Sequence, residues 1–360
     1  MIQEEIFKDL LIIELASVLA GPAVGMFFAE LGARVIKIEN KTTGGDVTRR
    51  WKVPGESEES QFSAYYQQVN FGKEVRILDL KQQESQTIVH DLVRKADIVI
   101  SNFLPEKAQQ MRMDEATLRS LNPRLIFAHL SAFGENHPRP AFDVVLQAET
   151  GFLFMTGAAD GPPAKMPVAL IDLLAAHQLK EGILLALIYR MQHQSGSSVK
   201  ASLVDAAIAS LANQASNWLV ASHIPQRMGS QHPNIAPYGD IFSTKDQKSL
   251  VLAVGTERHF IRLCEVLHLG HLAQDQRFET NAQRVRHRHD LHLLLQKAIQ
   301  NFNRSNLLDQ LEAAGVPAGA IRTMPEVFEL PQAQALVGQY ILPDGNPGTY
   351  LRSIVFKLSS

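Results

Sequence analysis

The chain has 360 residues, 45% of them hydrophobic, which is enough to bury one large core or two and excludes the disordered and fibrous classes. Lys and Arg number 35 against 37 Asp and Glu, a formal charge of −2, so there is no global field for holding nucleic acid or an anionic membrane and a small-molecule ligand is the default. No apolar run reaches the ~18 to 20 residues of a bilayer span, the acidic N-terminus does not read as a signal peptide, and the single cysteine, Cys264, cannot form an internal disulfide, so a cytoplasmic location is expected.

In chain order, Leu-Leu-Ile-Ile-Glu-Leu (10–15) is a strand-like run, Gly21-Pro22 punctuates it, Ala23–Leu31 has helical spacing, and Ala33–Glu39 is a second strand. Strand, turn, helix and strand within about 30 residues make a βαβ unit with a right-handed crossover and a parallel sheet. The pattern recurs as a strand at Glu74–Asp79, a helix at Gln83–Lys95, a strand at Asp97–Ser101, a helix at Asp114–Leu121 and a strand at Leu125–Leu130, which together predict an open α/β domain. The polar stretch Thr42–Gln61 reads as a surface excursion. Residues 171–192 and 202–222 read as helices, with a short strand at Val199–Ser202 between them. After Pro225 the texture changes. Strands are expected at Ile241–Ser243 and Ser249–Val254, and helices at Arg258–Leu269 and Arg284–Asn301, a second and smaller α/β domain. Cys264 has helical apolar spacing and reads as packing, and the tail after Val337 reads as extended chain.

Four places could carry chemistry. Asp172 is a lone carboxylate opening a long apolar helix, where free N–H donors and the positive end of the helix dipole could keep it ionised as a nucleophile; it is equally a good capping acid. The first βα turn, Ala16–Gly25, lies where open α/β sheets bind ligands, but it lacks G-x-G-x-x-G and Pro22 removes a donor, so a dinucleotide site has little support even with Glu39 at a tempting distance for a ribose. Asn102 and Phe103 end a strand, where Phe could stack an adenine and Asn could hydrogen-bond it, or the pair could be a turn and a core residue. His287, His289 and His292 have poor ligand spacing beside three arginines and read as a solvated helix face. Neither G-x-S-x-G nor C-x-x-C occurs.

Several segments together resemble the class III coenzyme A transferases, the family that includes formyl-CoA and carnitine CoA-transferases. They are Leu-Ala-Gly-Pro (19–22), Leu-Gly-Ala-Arg-Val-Ile-Lys-Ile-Glu (31–39), Gly-Asp (45–46), Ala-Asp-Ile-Val-Ile-Ser-Asn-Phe (96–103), Leu-Asn-Pro-Arg-Leu-Ile (121–126), Ala-Phe-Asp-Val-Val-Leu-Gln-Ala-Glu-Thr-Gly (141–151), Ser-Leu-Val-Asp-Ala (202–206), Asp-Gln-Arg-Phe (275–278) and Gly-Val-Pro-Ala-Gly (315–319). Each is weak alone, but their order and spacing are specific.

The resemblance implies a large Rossmann-like CoA-binding domain over 1–200, a linker helix over 201–224, a small α/β domain over 225–330 and a segment, 331–360, returning toward the large domain. It further implies a homodimer of two interlocked rings. Asp172 takes the place of the family's catalytic aspartate, which forms an acyl anhydride and then an aspartyl-CoA thioester before CoA passes to a carboxylic acid. CoA and acyl-CoA are then substrates, with no permanently bound cofactor and no metal. CoA contacts fall on Val18, Leu19, Ala20, Leu78, Asn102, Phe103 and Met111, with Phe142 along the pantetheine channel.

Basic residues that hold CoA phosphates in some members correspond here to Asn40 and Gln110, leaving Lys37, Lys81 and Arg139 as substitutes. A closing Leu-Gly-x-His-Thr segment and a glycine-rich loop between 240 and 260 are not evident. Two other readings share the resemblance. An α-methylacyl-CoA racemase needs a His just before Asp143, where this chain has Phe142, which exchanges no proton. A CoA-binding protein without turnover has no use for Asp172.

Overall fold

A computed structural model describes residues 5–135, 137–342 and 344–359. The chain divides into two compact units. The first contains residues 5–153, 165–224 and 334–359, and the second residues 154–164 and 225–333, within the described range.

The first unit is built on six parallel strands: β1 (Leu11–Leu15), β2 (Arg34–Asn40), β3 (Glu74–Leu78), β4 (Ile98–Ser101), β5 (Ile126–Ser131) and β6 (Ser198–Ser202). Their order across the sheet is β3-β2-β1-β4-β5-β6. Strand order reverses between β1 and β4, so a crevice opens beyond the carboxyl ends of those two strands, the usual ligand site of such sheets. The inner strands are covered on both faces, which is why β1, β4 and β5 read as largely apolar runs, whereas the edge strands β3 and β6 are mixed in polarity and only partly buried. Ile12, Ile98, Ile100 and Ile126 join one buried cluster, and Ile13, Leu15, Val99 and Phe127 another.

The helix after β1, α1 (Ala20–Glu30), starts three residues earlier than its spacing suggested, so Pro22 lies within its first turn, where a missing N–H costs nothing. The long helix Leu170–His193 buries Ile171, Asp172, Ala175, Ala176, Leu179 and Ile183 along one face. Where one helix is expected over 202–222 there are two, Leu203–Ala209 and Ala212–Ala221, because Ala212 takes a φ of 48° and breaks the register. The tail forms an antiparallel hairpin, β10 (Val337–Ile341) and β11 (Pro347–Leu351), fastened to Gln68 through both the N–H and the carbonyl of Leu351.

In the second unit a three-stranded antiparallel sheet, β7 (Tyr238–Ser243), β8 (Ser249–Ala253) and β9 (Ala318–Ala320), packs on helices around Phe242, Phe260, Leu263, Leu291 and Leu295. Cys264 lies in that core, and burial pushes its thiol up to about 12. The basic run at 284–289 is less solvated than its composition suggests. Arg284 is buried, pairs with Glu257 and lies 4.4 Å over the Phe260 ring. His292 stacks on Phe242, and among the described residues no group of three or more side chains is arranged to hold a metal. No described helix is long and apolar enough to cross a membrane.

Candidate active site

The loop leaving β1 is held from three sides. Lys37 donates to the Ala16 carbonyl at 2.8 Å; Asn102 accepts from the Ser17 N–H at 3.3 Å and donates to the Ser17 carbonyl at 3.1 Å; Asp46 accepts from the Val18 N–H at 3.1 Å. Asn102 and Ser17 belong to the ends of the two strands that flank the switch point, so this pair ties the crevice walls together. Val18 takes a φ of 75°, a conformation that disfavours a β-branched side chain by about 1–3 kcal/mol and persists only where neighbours impose it.

The clamp is anchored in a buried ionic cluster. Lys37 pairs with Glu14 at 2.9 Å and Asp46 at 3.1 Å, and Lys73 pairs with Glu14 at 2.7 Å. All four side chains are shut off from solvent, two cations against two anions. Burial alone would lower Lys37, but Glu14 and then Asp46 outweigh it and its ammonium is held above the ordinary range. For Lys73 burial wins, leaving it at about 8. Gly25 makes room for the cluster, since a Cβ there would lie 1.9 Å from Glu14 Oε2. Asp46 and Thr48 are both buried and belong to this support, while residues 42–44 and most of 50–61 are exposed as a surface excursion would be. Glu39 is not poised for a ribose either. It accepts from Arg49 at 2.7 Å, from the Tyr66 hydroxyl at 2.5 Å and from the Asp46 N–H at 2.9 Å.

Asp172 is 8% exposed, in the first turn of the long helix. Its pKa is raised to about 7, chiefly by burial and then by the charge of Asp143. The helix N-terminus does not offset this, because Asp143 has already taken its donors: Asp143 Oδ2 accepts from the N–H of Ile171 at 2.7 Å and of Asp172 at 3.4 Å. The helix start therefore does not hold Asp172 ionised as its position in the sequence suggested; burial and Asp143 favour the protonated form instead. Tyr65 is pushed up to about 12 by burial and by Asp172 and Asp143, and so keeps its proton as a donor at neutral pH.

Two cavities meet at this carboxylate. One, of about 540 Å³, is walled by Trp51, Tyr65 and Val168, and holds Lys165. The other, of about 610 Å³, runs over the ends of β1, β4 and β5 and includes Ala20, Asn102, Phe103, Lys107 and Arg139. Asp172, Val18, Leu19 and Phe142 line both. Phe142 is 58% exposed, with its ring centroid 6.3 Å from that of Trp51.

Of the residues expected to contact CoA, Val18, Leu19, Ala20, Asn102, Phe103 and Phe142 thus converge on one crevice with Asp172. Leu78 and Met111 do not line it; they pack with Phe103 against the apolar cluster on one face of the sheet. Among the cations offered for phosphate, Lys37 is withdrawn, being enclosed and fully paired. Lys81 lines neither cavity, and Arg139 lines the larger one while pairing with Glu149 at 2.6 Å. Sequence reasoning passed over Lys107, Lys165 and Tyr65, and named Asp143 only in the racemase reading. Only Asp143 carried a local signal, an acid just inside a helix start.

Comparison with known proteins identifies the family. The model of CoA-transferase family III matches residues 7–358. The succinate–glutarate CoA-transferase of Agrobacterium fabrum is 40% identical over 330 residues, covering 90% of this chain and 82% of that one. The acetyl-CoA:oxalate CoA-transferase of Acetobacter aceti is 34% identical, over 95% of this chain and 88% of its own. A crystal structure of a CAIB/BAIF family protein from Brucella suis superposes with a TM-score of 0.84 at 37% identity, covering 96% of this chain and 91% of that one. The chain belongs to family III of the CoA-transferases, and it is a CoA-transferase.

Proposed function

We propose that this family III CoA-transferase moves CoA from an acyl-CoA to a carboxylic acid through covalent intermediates on Asp172. The observation that carries the reading is the position of Asp172 at the junction of two cavities, shared with Val18, Leu19 and Phe142. CoA occupies the larger cavity over the strand ends and the acyl group the smaller one, so the thioester carbonyl lies at the carboxylate between them.

Ionised Asp172 attacks that carbonyl and expels CoA thiolate, leaving a mixed anhydride. The thiolate then attacks the Asp172 carbonyl, forming an aspartyl-CoA thioester and releasing the donor acid. An acceptor carboxylate attacks this thioester, regenerating thiolate and a second anhydride, and the thiolate takes the acceptor's acyl carbon, restoring Asp172. The activation of the thioester is conserved throughout, so no ATP is consumed. A carboxylate in an apolar pocket is poorly solvated and correspondingly nucleophilic. The first-turn N–H groups of α1, beginning beside Leu19 and Ala20, have no partner within the helix and can receive the tetrahedral oxyanion.

The acid is a short dicarboxylate in this reading. Lys165 is the one cation among the described residues lining the smaller cavity, and a second carboxylate needs such a partner. The names of the relatives, succinate–glutarate and oxalate CoA-transferases, support the same class. Homodimer formation belongs to this proposal too. Leu185, Ile188 and Met191 of the long helix are exposed apolar side chains that a second copy would cover.

Incubation with succinyl-CoA, trapping with hydroxylamine and peptide mass spectrometry test the mechanism. A hydroxamate on Asp172 is expected, and Asp172→Ala should retain CoA affinity while losing transfer. Transfer at the native rate by Asp172→Ala would refute it.

A further inference from the structure

We infer that Asp46 is a positioning residue for the transfer step, holding Val18 in its left-handed conformation and so aiming the start of α1 at Asp172. The inference rests on the reading of Asp172 as nucleophile.

Four observations converge on it. Val18 is a β-branched residue at a φ of 75°, and it lines both cavities beside Asp172. Its N–H has one acceptor, Asp46 Oδ2 at 3.1 Å. That same oxygen lies 3.1 Å from Lys37 Nζ, while Oδ1 accepts from the Thr48 N–H at 3.0 Å and the Thr48 hydroxyl at 2.8 Å, so the carboxylate has no freedom to follow the loop if the loop moves. The next residues are Leu19, which precedes the helix, and Ala20, its first residue. The φ and ψ of Val18 orient the Val18–Leu19 peptide, and that peptide decides where the first free N–H groups of the helix point. A carboxylate is suited to the task, since a charge-assisted bond to an N–H is shorter and stronger than a neutral one and can outweigh the torsional preference of valine.

Glycine adopts positive φ without help. The link from Asp46 to Val18 is therefore separable from the contribution of Asp46 to folding. Removing Asp46 should release the loop, and replacing Val18 by glycine should let the loop keep its conformation without Asp46.

The experiment measures the single-turnover rate of Asp172 modification by succinyl-CoA, read as the hydroxamate, together with the melting temperature, in wild type, Asp46→Asn, Asp46→Ala, Val18→Gly and the two double variants. Labelling in Asp46→Asn should slow about tenfold and in Asp46→Ala more, with the Kd for CoA within about threefold of wild type. Val18→Gly alone removes a side chain that lines both cavities, so its own labelling rate is measured as the reference for the double variants. Each double variant should label several-fold faster than its Asp46 parent while melting no higher, an outcome that a purely structural Asp46 would not give. If Asp46→Ala does not fold, the Asp46→Asn pair alone decides. Double variants no faster than their parents, or Asp46 variants at the wild-type rate, overturn the positioning role. Absence of any Asp172 hydroxamate in the wild type would instead remove the nucleophile reading beneath it.

Discussion

Asp143 Oδ2 accepts the backbone N–H of Ile171 at 2.7 Å and that of Asp172 at 3.4 Å, so one aspartate caps the helix that another opens and presses its charge on it. Burial is the larger cause of the raised Asp172 pKa of about 7, and Asp143 the second. Asp143→Asn keeps an acceptor for the Ile171 N–H and removes the charge. In the proposed mechanism Asp172 must be ionised to attack, so kcat/KM for the acyl-CoA should fall about tenfold per pH unit below the Asp172 pKa. In Asp143→Asn the midpoint should move downward from about 7 yet stay above the ordinary 3.8, because burial remains. An unmoved midpoint in a pH–rate profile would show that Asp143 acts only as a cap.

The same raised pKa makes Asp172 a burden on folding. The unfolded chain titrates this group near 3.8 and the folded chain near 7, so between those values the folded state holds the extra proton and stability declines as pH rises. Above about pH 7 the full penalty applies, a few kcal/mol at roughly 1.4 kcal/mol per pH unit. Asp172→Asn should therefore unfold at higher urea than wild type at pH 8, with the gap narrowing toward pH 4. An equal gap at both pH values would contradict the shift.

Lys37 is a support rather than a ligand, and its removal separates the two roles. Lys37→Met deletes the cation shared by Glu14 and Asp46 and leaves their carboxylates short of a partner in a sealed site. Breaking a buried pair from one side costs about 3–5 kcal/mol. Urea denaturation should show a loss of that order. A Lys37→Met protein of native stability with a raised KM for acyl-CoA would restore the phosphate role.

How far these features were legible depends on the range over which each is determined. The inner strands were legible because both faces of the sheet are covered there, which writes Ile12-Ile13 and Ile98-Val99-Ile100 as apolar runs bounded by turns, while the edge strands β3 and β6 were legible from their place in the strand–helix alternation. Asp172 stood out as a lone acid on an apolar helix. The burial of Asp46 was hidden because it depends on Lys37, nine residues earlier on β2, a strand position where a lysine is expected to face solvent. The break at Ala212 carries no Gly or Pro signal. Asp143, at the start of the helix Asp143–Glu149, and Lys165, in the chain before the long helix, line the cavity beside Asp172 through tertiary packing that no local pattern encodes.

The cations of the larger cavity allow a comparison between residues that line it and one that does not. Lys107 and Arg139 line it; Lys81 does not. CoA carries its charge on its phosphates, so side chains that meet them act on binding rather than on the acyl carbon. Truncating an exposed charged contact of this kind costs about 1 kcal/mol, roughly a fivefold change in affinity. Lys107→Ala and Arg139→Ala should each raise the KM for acyl-CoA about fivefold with kcat changed less than twofold, and the effect should shrink at high salt. Arg139 must first leave Glu149, its partner at 2.6 Å, so Glu149→Gln should lower the KM or leave it unchanged. Lys81→Ala should match wild type in both constants. Steady-state kinetics at two ionic strengths decide, and a KM raised by Lys81→Ala but not by the other two would move the phosphates out of this cavity.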